Sequence, residues 1–284
     1  GPLEQLKAYV KVLGPGLITG ASDDDPAGIG TYSQAGARFG YAPLWTALFT
    51  FPLMLIVQEM CARIALQTGN GLAANIREHY PRPLLYICVL LLLVANTINI
   101  GADLGAMAAS AQMLLGLPFL VWLAGITVLV VGMQVFIKYK QVARWLRFFA
   151  FSLLAYVVVV FVVGQDWGQA LRNTLIPALR WDKDYLSALV AILGTTISPY
   201  LFFWQANEEI EEEIQEGKKT PAARQGVTRT ELKWMRTDVA SGMFFSNAVM
   251  WFIIATTAST LFVNGIHQID SAPQAADALK PIGG

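Results

Sequence analysis

The stretch Gly14 to Ala37, GPGLITGASDDDPAGIGTYSQAGA, constrains this chain more than any other. Apolar and small residues flank Asp23-Asp24-Asp25-Pro26-Ala27-Gly28 on both sides. The stretch has the make-up of a membrane crossing, yet it cannot be one continuous helix. Pro26 removes a backbone donor, clashes with the preceding turn and disfavours helical geometry at Asp25. Gly28 and Gly30 loosen the backbone further. In lipid, a broken helix is tolerated only where the break is buried in protein or lines a watery cavity. Three carboxylates at one depth are costly unless something positive joins them. A cation is the economical guest.

The rest of the composition agrees. Of the 284 residues, 55% are hydrophobic and 14% charged, against about a quarter charged in a soluble domain. The net charge of zero names no partner, and no basic stripe supports nucleic-acid binding. Cys61 and Cys88 both fall in apolar runs and form neither a metal spacing nor a disulfide framework. Lys7 and Lys11 precede a broken span with no usual cleavage site, so no removable signal peptide is expected.

With about 20 residues per crossing, apolar runs predict seven spans, at about 14–36, 42–67, 84–116, 119–138, 145–164, 186–207 and 239–264. A charged linker, 208–236, separates the last two. With the amino terminus in the cytoplasm, inside segments carry 15 Lys and Arg and outside segments carry 5. That bias predicts a multi-pass plasma or inner-membrane protein with its amino terminus inside.

Span six repeats the anomaly of span one. Gly194-Thr195-Thr196-Ile197-Ser198-Pro199-Tyr200 should unwind near Pro199. Broken helices five spans apart point to a transporter made of inverted repeats, with a cation held near the midplane. The expected domain is single, residues 1–284, with a first repeat at about 14–164 and an incomplete second from about 186.

These residues resemble the Nramp divalent-metal transporter family. The resemblance rests on Gly14-Pro15-Gly16, on Asp25-Pro26-Ala27-Gly28, and on Gln34-Ala35-Gly36-Ala37 followed by Phe39-Gly40-Tyr41. Gly101-Ala102-Asp103-Leu104 and Thr195-Thr196-Ile197-Ser198-Pro199 extend it over essentially the whole chain. It implies an all-α integral membrane protein with the LeuT-like 5+5 inverted-repeat fold, helices 1 and 6 unwound, moving divalent cations. The departures are informative. The family's Asp-Pro-Gly-Asn reads Asp25-Pro26-Ala27-Gly28 here, and its Met-Pro-His reads Ser198-Pro199-Tyr200. A histidine further along that helix is Gln205, and an acid three after Asp103 is Ala106. The pattern is similar to that of the Nramp-related magnesium transporters.

Ligand softness sets the expected ion. Thioethers favour transition metals, and oxygen-only sites favour Mg²⁺, Ca²⁺ or Mn²⁺. Asp25, the backbone at Thr195 and the Ser198 hydroxyl offer only oxygen. Gly28 and Ser198, in place of Asn and Met, leave room for the waters that Mg²⁺ keeps. The expected metal residues are therefore Asp25, Gly28, Thr195 and Ser198. Asp23, Asp24, Tyr200, Gln205 and Asp103 are candidates for the surrounding shell or the pathway. Either Asp23 or Asp24 could instead cap the second half-helix, and Asp103 could be a partner for a helix end. Mg²⁺, with Mn²⁺ also open, is expected as substrate; no cofactor, no enzymatic activity and no nucleic acid are expected, and protein partners are not specified.

His79 and His267 lie in loops, so proton coupling is not expected. The rival within transport is a proton-coupled Mn²⁺ or broad-range carrier. From another class, Asp25 and Asp103 suggest an intramembrane aspartyl protease, which the residues Ile100-Gly101-Ala102-Asp103 do not support. Glu59 has Arg63 at i+4, the spacing of an ordinary helix ion pair. The run Glu208-Glu209-Ile210-Glu211-Glu212-Glu213 reads first as a solvated face and second as an acidic vestibule that gathers cations. Seven spans are fewer than two repeats of five, so a truncated record is expected, and transport is not expected of the seven spans alone.

Overall fold

The computed structural model describes residues 14–137 and 154–269, and every regular element among them is helical. Twelve helices follow in order: α1 (Pro15–Asp23), α2 (Pro26–Phe39), α3 (Trp45–Thr68), α4 (Leu72–His79), α5 (Arg82–Leu115), α6 (Phe119–Phe136), α7 (Leu154–Val163), α8 (Trp167–Leu175), α9 (Lys183–Thr196), α10 (Pro199–Gln215), α11 (Pro221–Arg224) and α12 (Arg229–Thr257). A π-helical turn, Ala258–Phe262, extends α12.

Both expected breaks are present and built alike. Asp25 has extended backbone angles (φ −72°, ψ 168°) and caps α2, with Pro26 as its first residue. Ser198 (φ −93°, ψ 131°) caps α10, with Pro199 first. In each case proline is tolerated because the first helical N–H has no intrahelical acceptor to lose, and it forces the residue before it out of helical geometry.

Among the described residues, five stretches are long and apolar enough to cross a membrane: Ala42–Thr68, Arg82–Leu115, Phe119–Phe136, Lys183–Gln215 and Arg229–Phe262. Of the seven expected crossings, the first is split into two helices of 9 and 14 residues. The fifth is described only from Leu154. The chain is a multi-pass membrane protein. Lys7, Lys11, Lys138, Lys140, Arg144 and Arg147 from the charge count lie outside the described residues, as do tail residues 270–284. The expected linker at 208–236 is shorter than its charge suggested. Helix α10 runs on to Gln215 and α12 starts at Arg229, because charged side chains on a helix end its hydropathy before they end its hydrogen bonding.

The chain divides into two compact units, changing from one to the other at 23/24, 50/51, 97/98, 196/197 and 246/247. Two of these five points fall in the helix breaks.

In the first unit, Met54, Ala62 and Leu66 of α3 pack on Met235, Val239 and Met243 of α12, with Ile197 against them. Four-residue spacing puts each set on one helix face. One face of α12 also grips α1 along its whole length. Asp238 accepts hydrogen bonds from the N–H groups of Gly14 (2.8 Å), Gly16 (2.6 Å) and Leu17 (3.2 Å). One turn on, Gly242 lies so close to Gly16 and Gly20 that a Cβ on Gly20 or Gly242 would overlap backbone atoms. One turn further, the Ser246 hydroxyl donates to Asp23 (2.6 Å). Small residues at a lipid-embedded crossing let backbones approach and replace the missing hydrophobic drive with dispersion contacts. Buried Arg224 donates from Nε to Gly69 O (3.1 Å) and from Nη1 to the carbonyls of Lys218 (3.1 Å) and Lys219 (3.0 Å), tying the connection between α10 and α12 to the turn after α3.

In the second unit, α2 packs against α9 and against the π-helical turn. A Cβ at Gly36 would overlap Thr257 and the Ile254 carbonyl. Tyr185 anchors this unit: its ring meets Phe39 edge-on at 5.1 Å, its hydroxyl donates to Ala42 O (3.1 Å), and it accepts from Trp45 Nε1 (3.1 Å).

Candidate metal site

The second unit holds Asp25, Gly28, Asp103 and Thr195; the first holds Asp23, Ser198, Tyr200 and Gln205. Around Asp25 the local chemistry is explicit. Its Oδ1 accepts from Gly28 N–H at 2.6 Å, closing the first turn of α2. Its Oδ2 accepts from Asn99 Nδ2 at 2.8 Å. The same amide nitrogen lies 3.2 Å from Asp103 Oδ2. The other Asp103 oxygen accepts from Ala27 N–H at 3.1 Å. Two carboxylates thus collect at the positive end of α2, where unpaired N–H groups and the helix dipole favour negative charge.

This corrects one expectation. The cap of the second half-helix is Asp25 itself, not Asp23 or Asp24. Asp23 ends α1 and accepts the Ser246 hydroxyl, while Asp24 is buried in the break. Asp103 is a hydrogen-bonded partner of the α2 amino terminus. Asp25 and Asp103 share the Asn99 amide donor, and each of their four oxygens accepts from an N–H.

Thr195 is half-buried near the end of α9. The hydroxyl of its neighbour Thr196 lies 3.0 Å from the buried Tyr32 hydroxyl. Ser198 is fully buried, and its hydroxyl makes no capping bond to the first turn of α10. Tyr200 is half-buried in that turn. Gln205 is buried and donates to Glu209 (2.8 Å), while its Oε1 has no hydrogen-bond partner. Among the described residues, no group of three His, Cys, Asp or Glu side chains converges as a ready-made metal cage. His79 Nδ1 lies 3.0 Å from Asn75 O at the end of α4, and His267 Nδ1 lies 3.2 Å from Ala37 O beyond the π-helical turn.

The acidic run is not the solvated face expected. Glu208, Glu209 and Glu213 are buried. Leu201, Gln205, Glu209 and Glu213 form one buried stripe at four-residue spacing on α10. The Glu59–Arg63 pair forms at 2.6 Å, and Arg236 joins it at 3.0 Å.

Sequence reading overlooked Asn99 and Asp238. Asn99 left one local signal, its four-residue spacing from Asp103 on α5. Asp238 left none, because its partners lie more than 220 residues away.

The family model described as "Natural resistance-associated macrophage protein-like" (Nramp) matches residues 16–284. The "Divalent metal cation transporter MntH" of Klebsiella pneumoniae strain 342 is 28% identical over 286 residues, covering 97% of this chain and 65% of that protein. The protein of the same name from Yersinia enterocolitica is 28% identical, covering 99% of this chain and 66% of its own length. The chain therefore spans about two thirds of the curated relatives it matches. Among solved structures, an Eremococcus coleocola manganese transporter superposes with a TM-score of 0.68 at 18% identity, covering 97% of this chain and 60% of that one. That likeness carries the LeuT-like inverted-repeat fold. With a family model matched over nearly its whole length, the chain belongs to the Nramp family.

Proposed function

We propose that this chain serves divalent cation transport by alternating access, with Mg²⁺ as the main substrate and Mn²⁺ also accepted. The observation that carries this reading is the oxygen chemistry around Asp25. Asn99 Nδ2 donates to Asp25 and so orients its carboxylate, Gly28 stands where the family has its amide ligand, and the family's thioether position is Ser198. The proposed donors are Asp25, the backbone at Gly28 and Thr195, and the Ser198 hydroxyl. Oxygen-only donors select hard ions, and a site with few charged ligands suits an ion that keeps several waters. Asp103, Asn99 and Gln205 act around these donors, and Asp23, Asp24 and Tyr200 line the approach.

The loss of most of a proton pathway supports transport without obligatory proton coupling. Neither histidine is in a crossing helix, and Ala106 and Gln205 stand where the family pattern has titratable groups. With the amino terminus inside, an inside-negative potential supplies about 2.3 kcal/mol per charge per 100 mV, so about twice that for a dication. The names of the relatives, a divalent metal cation transporter and a manganese transporter, favour Mn²⁺ as substrate; the second reading is a proton-coupled carrier of Mn²⁺ or a broad range of metals.

Titration calorimetry of the purified chain separates these readings. Mg²⁺ binding that Asp25→Ala and Ser198→Ala weaken, and that Cd²⁺ displaces poorly, supports the first. Tight Cd²⁺ and Mn²⁺ binding with no Mg²⁺ competition supports the second. Binding unaffected by Asp25→Ala sinks both. In reconstituted vesicles showing Mg²⁺ uptake, stoichiometric acidification reported by a trapped pH dye would remove the uncoupled mechanism.

A further inference from the structure

Helix α8 packs one side against the second unit and leaves an apolar stripe beside it uncovered. On the packed side Ala170 is fully buried, and the Thr174 hydroxyl accepts from Trp251 Nε1 at 2.8 Å. The neighbouring stripe is Trp167, Leu171 and Leu175, aligned by four-residue spacing. Among the described residues these three are 39%, 55% and 65% exposed. At 3.6 residues per turn, Gln169 and Asn173 fall opposite the stripe, and exposed Arg172 borders it.

Position and continuity say what lies against the stripe. Helix α7, the described end of the fifth crossing, runs apolar up to Val163. Helix α9 opens the crossing stretch that starts at Lys183. Helix α8 lies between the two and begins at the Asp166 cap, whose carboxylate accepts the Gln169 N–H at 3.0 Å. It therefore starts where lipid gives way to water. It is held at that level, because the Trp167 ring stacks on Trp251 with centres 6.3 Å apart, and Trp251 belongs to the crossing stretch Arg229–Phe262. Phe161 and Val162 of α7 are 67% and 76% exposed, as suits a lipid-facing side. The Phe161 ring lies 5.3 Å from the Trp167 ring, so this apolar surface of α7 continues onto the stripe of α8. Tryptophan, with an apolar body and one polar tip, is favoured at that boundary.

We propose that α8 lies in the plane of the membrane surface as an anchor, with Trp167, Leu171 and Leu175 seated among phospholipid acyl chains just below the headgroups. The apolar face of such a helix sits about 5–10 Å into the boundary. Arg172 extends its long side chain to the phosphates, and Gln169 and Asn173 face water. The anchor ties the connection between the fifth crossing and the broken sixth to the lipid surface, and Trp251 and Thr174 tie it to α12.

The test places spin labels on the full chain, carrying Cys61→Ala and Cys88→Ala, in nanodiscs of phosphatidylcholine and phosphatidylglycerol. Gln169→Cys, Leu171→Cys, Asn173→Cys and Leu175→Cys are labelled one at a time. Collision with oxygen, which concentrates in lipid, is compared with collision with a water-soluble nickel chelate. The oxygen-to-nickel ratio is expected to be several-fold higher at positions 171 and 175 than at 169 and 173. Nickel collision at 171 and 175 as frequent as at 169 overturns the proposal, since water then covers the stripe. Shielding of 171 and 175 from both reagents overturns it too, since protein then covers the stripe. An equally high ratio at all four positions overturns the in-plane placement. Where a labelled variant fails to fold, Trp167→Phe compared with wild type gives a label-free reading. The fluorescence that this substitution removes should be quenched more by lipids brominated high in the acyl chain than by lipids brominated near its end. The reverse order, or quenching by neither, overturns the proposal.

Discussion

Replacing Asp238 by alanine isolates what holds α1 in place. Three N–H groups at the start of α1 end on this one carboxylate, which is 3% exposed: Gly14 and Leu17 on Oδ1, Gly16 on Oδ2. Each hydrogen bond to a charged acceptor contributes about 1.5–3 kcal/mol, and each buried donor left orphaned costs about 1–3 kcal/mol. Relaxation and water entry recover part of this, so Asp238→Ala costs about 4 kcal/mol, the size of breaking a buried charged network. At roughly 2–4 °C per kcal/mol for a chain of this size, the melting temperature falls by roughly 10 °C. Asp238→Asn keeps one acceptor oxygen. Placed as Oδ1 it retains the Gly14 and Leu17 bonds and turns an NH₂ towards the Gly16 N–H, so about half the loss is expected. Thermal melting read by fluorescence-detected size exclusion in detergent measures both. An alanine variant within about 2 °C of wild type, or an asparagine variant no better than alanine, would refute this account.

Gly242→Leu should abolish monodisperse protein on size exclusion, since the added atoms meet the backbone of Gly16 and Leu17. Gly105→Ala, where a Cβ meets nothing within 4 Å, should be neutral or stabilise by up to about 1 kcal/mol. Asn99→Leu leaves Asp25 and Asp103 without their common donor; Mg²⁺ affinity by calorimetry should fall about tenfold or more, equal to the loss of one charge-assisted hydrogen bond, and unchanged affinity would count against the proposed site. Arg236→Gln should shift melting little, because Glu59 keeps Arg63 at 2.6 Å. Removing both arginines should cost more than the two single losses together, as the double variant's melting would show. The hydrogen bond to Glu213 raises the Lys218 pKa above its ordinary 10.5. The stability from this pairing is therefore fully present below pH 10.5 and is lost as pH climbs through the raised value. Lys218→Met should be indistinguishable from wild type only at the alkaline end of a pH series of melts.

What could be read in advance depended on whether the determinant was local. The breaks at Asp25-Pro26 and Ser198-Pro199 were legible because proline acts on its own turn and on the residue before it. The cap was within reach too. An aspartate directly before a proline at the first helical position is a strong cap signal, but the metal-ligand role of Asp25 drew the capping role onto its neighbours. The acidic run of α10 misled because charge alone was weighed. Its four-residue stripe with Leu201 and Gln205 becomes meaningful only once packing buries that face. Asn99 meets Asp25 across 74 positions, and Asp238 meets Gly14 across 224. No spacing rule reaches that far.

The grip of α12 on α1 also sets an order of assembly. A nine-residue helix is too short to persist alone, and its collar, its contact surface and its far-end partner are Asp238, Gly242 and Ser246. Helix α1 is therefore completed by a segment more than 220 residues later in the chain. Until α12 is in place, Asp23 lacks the Ser246 hydroxyl, and the closing contact carries the entropic delay of a loop of more than 220 residues.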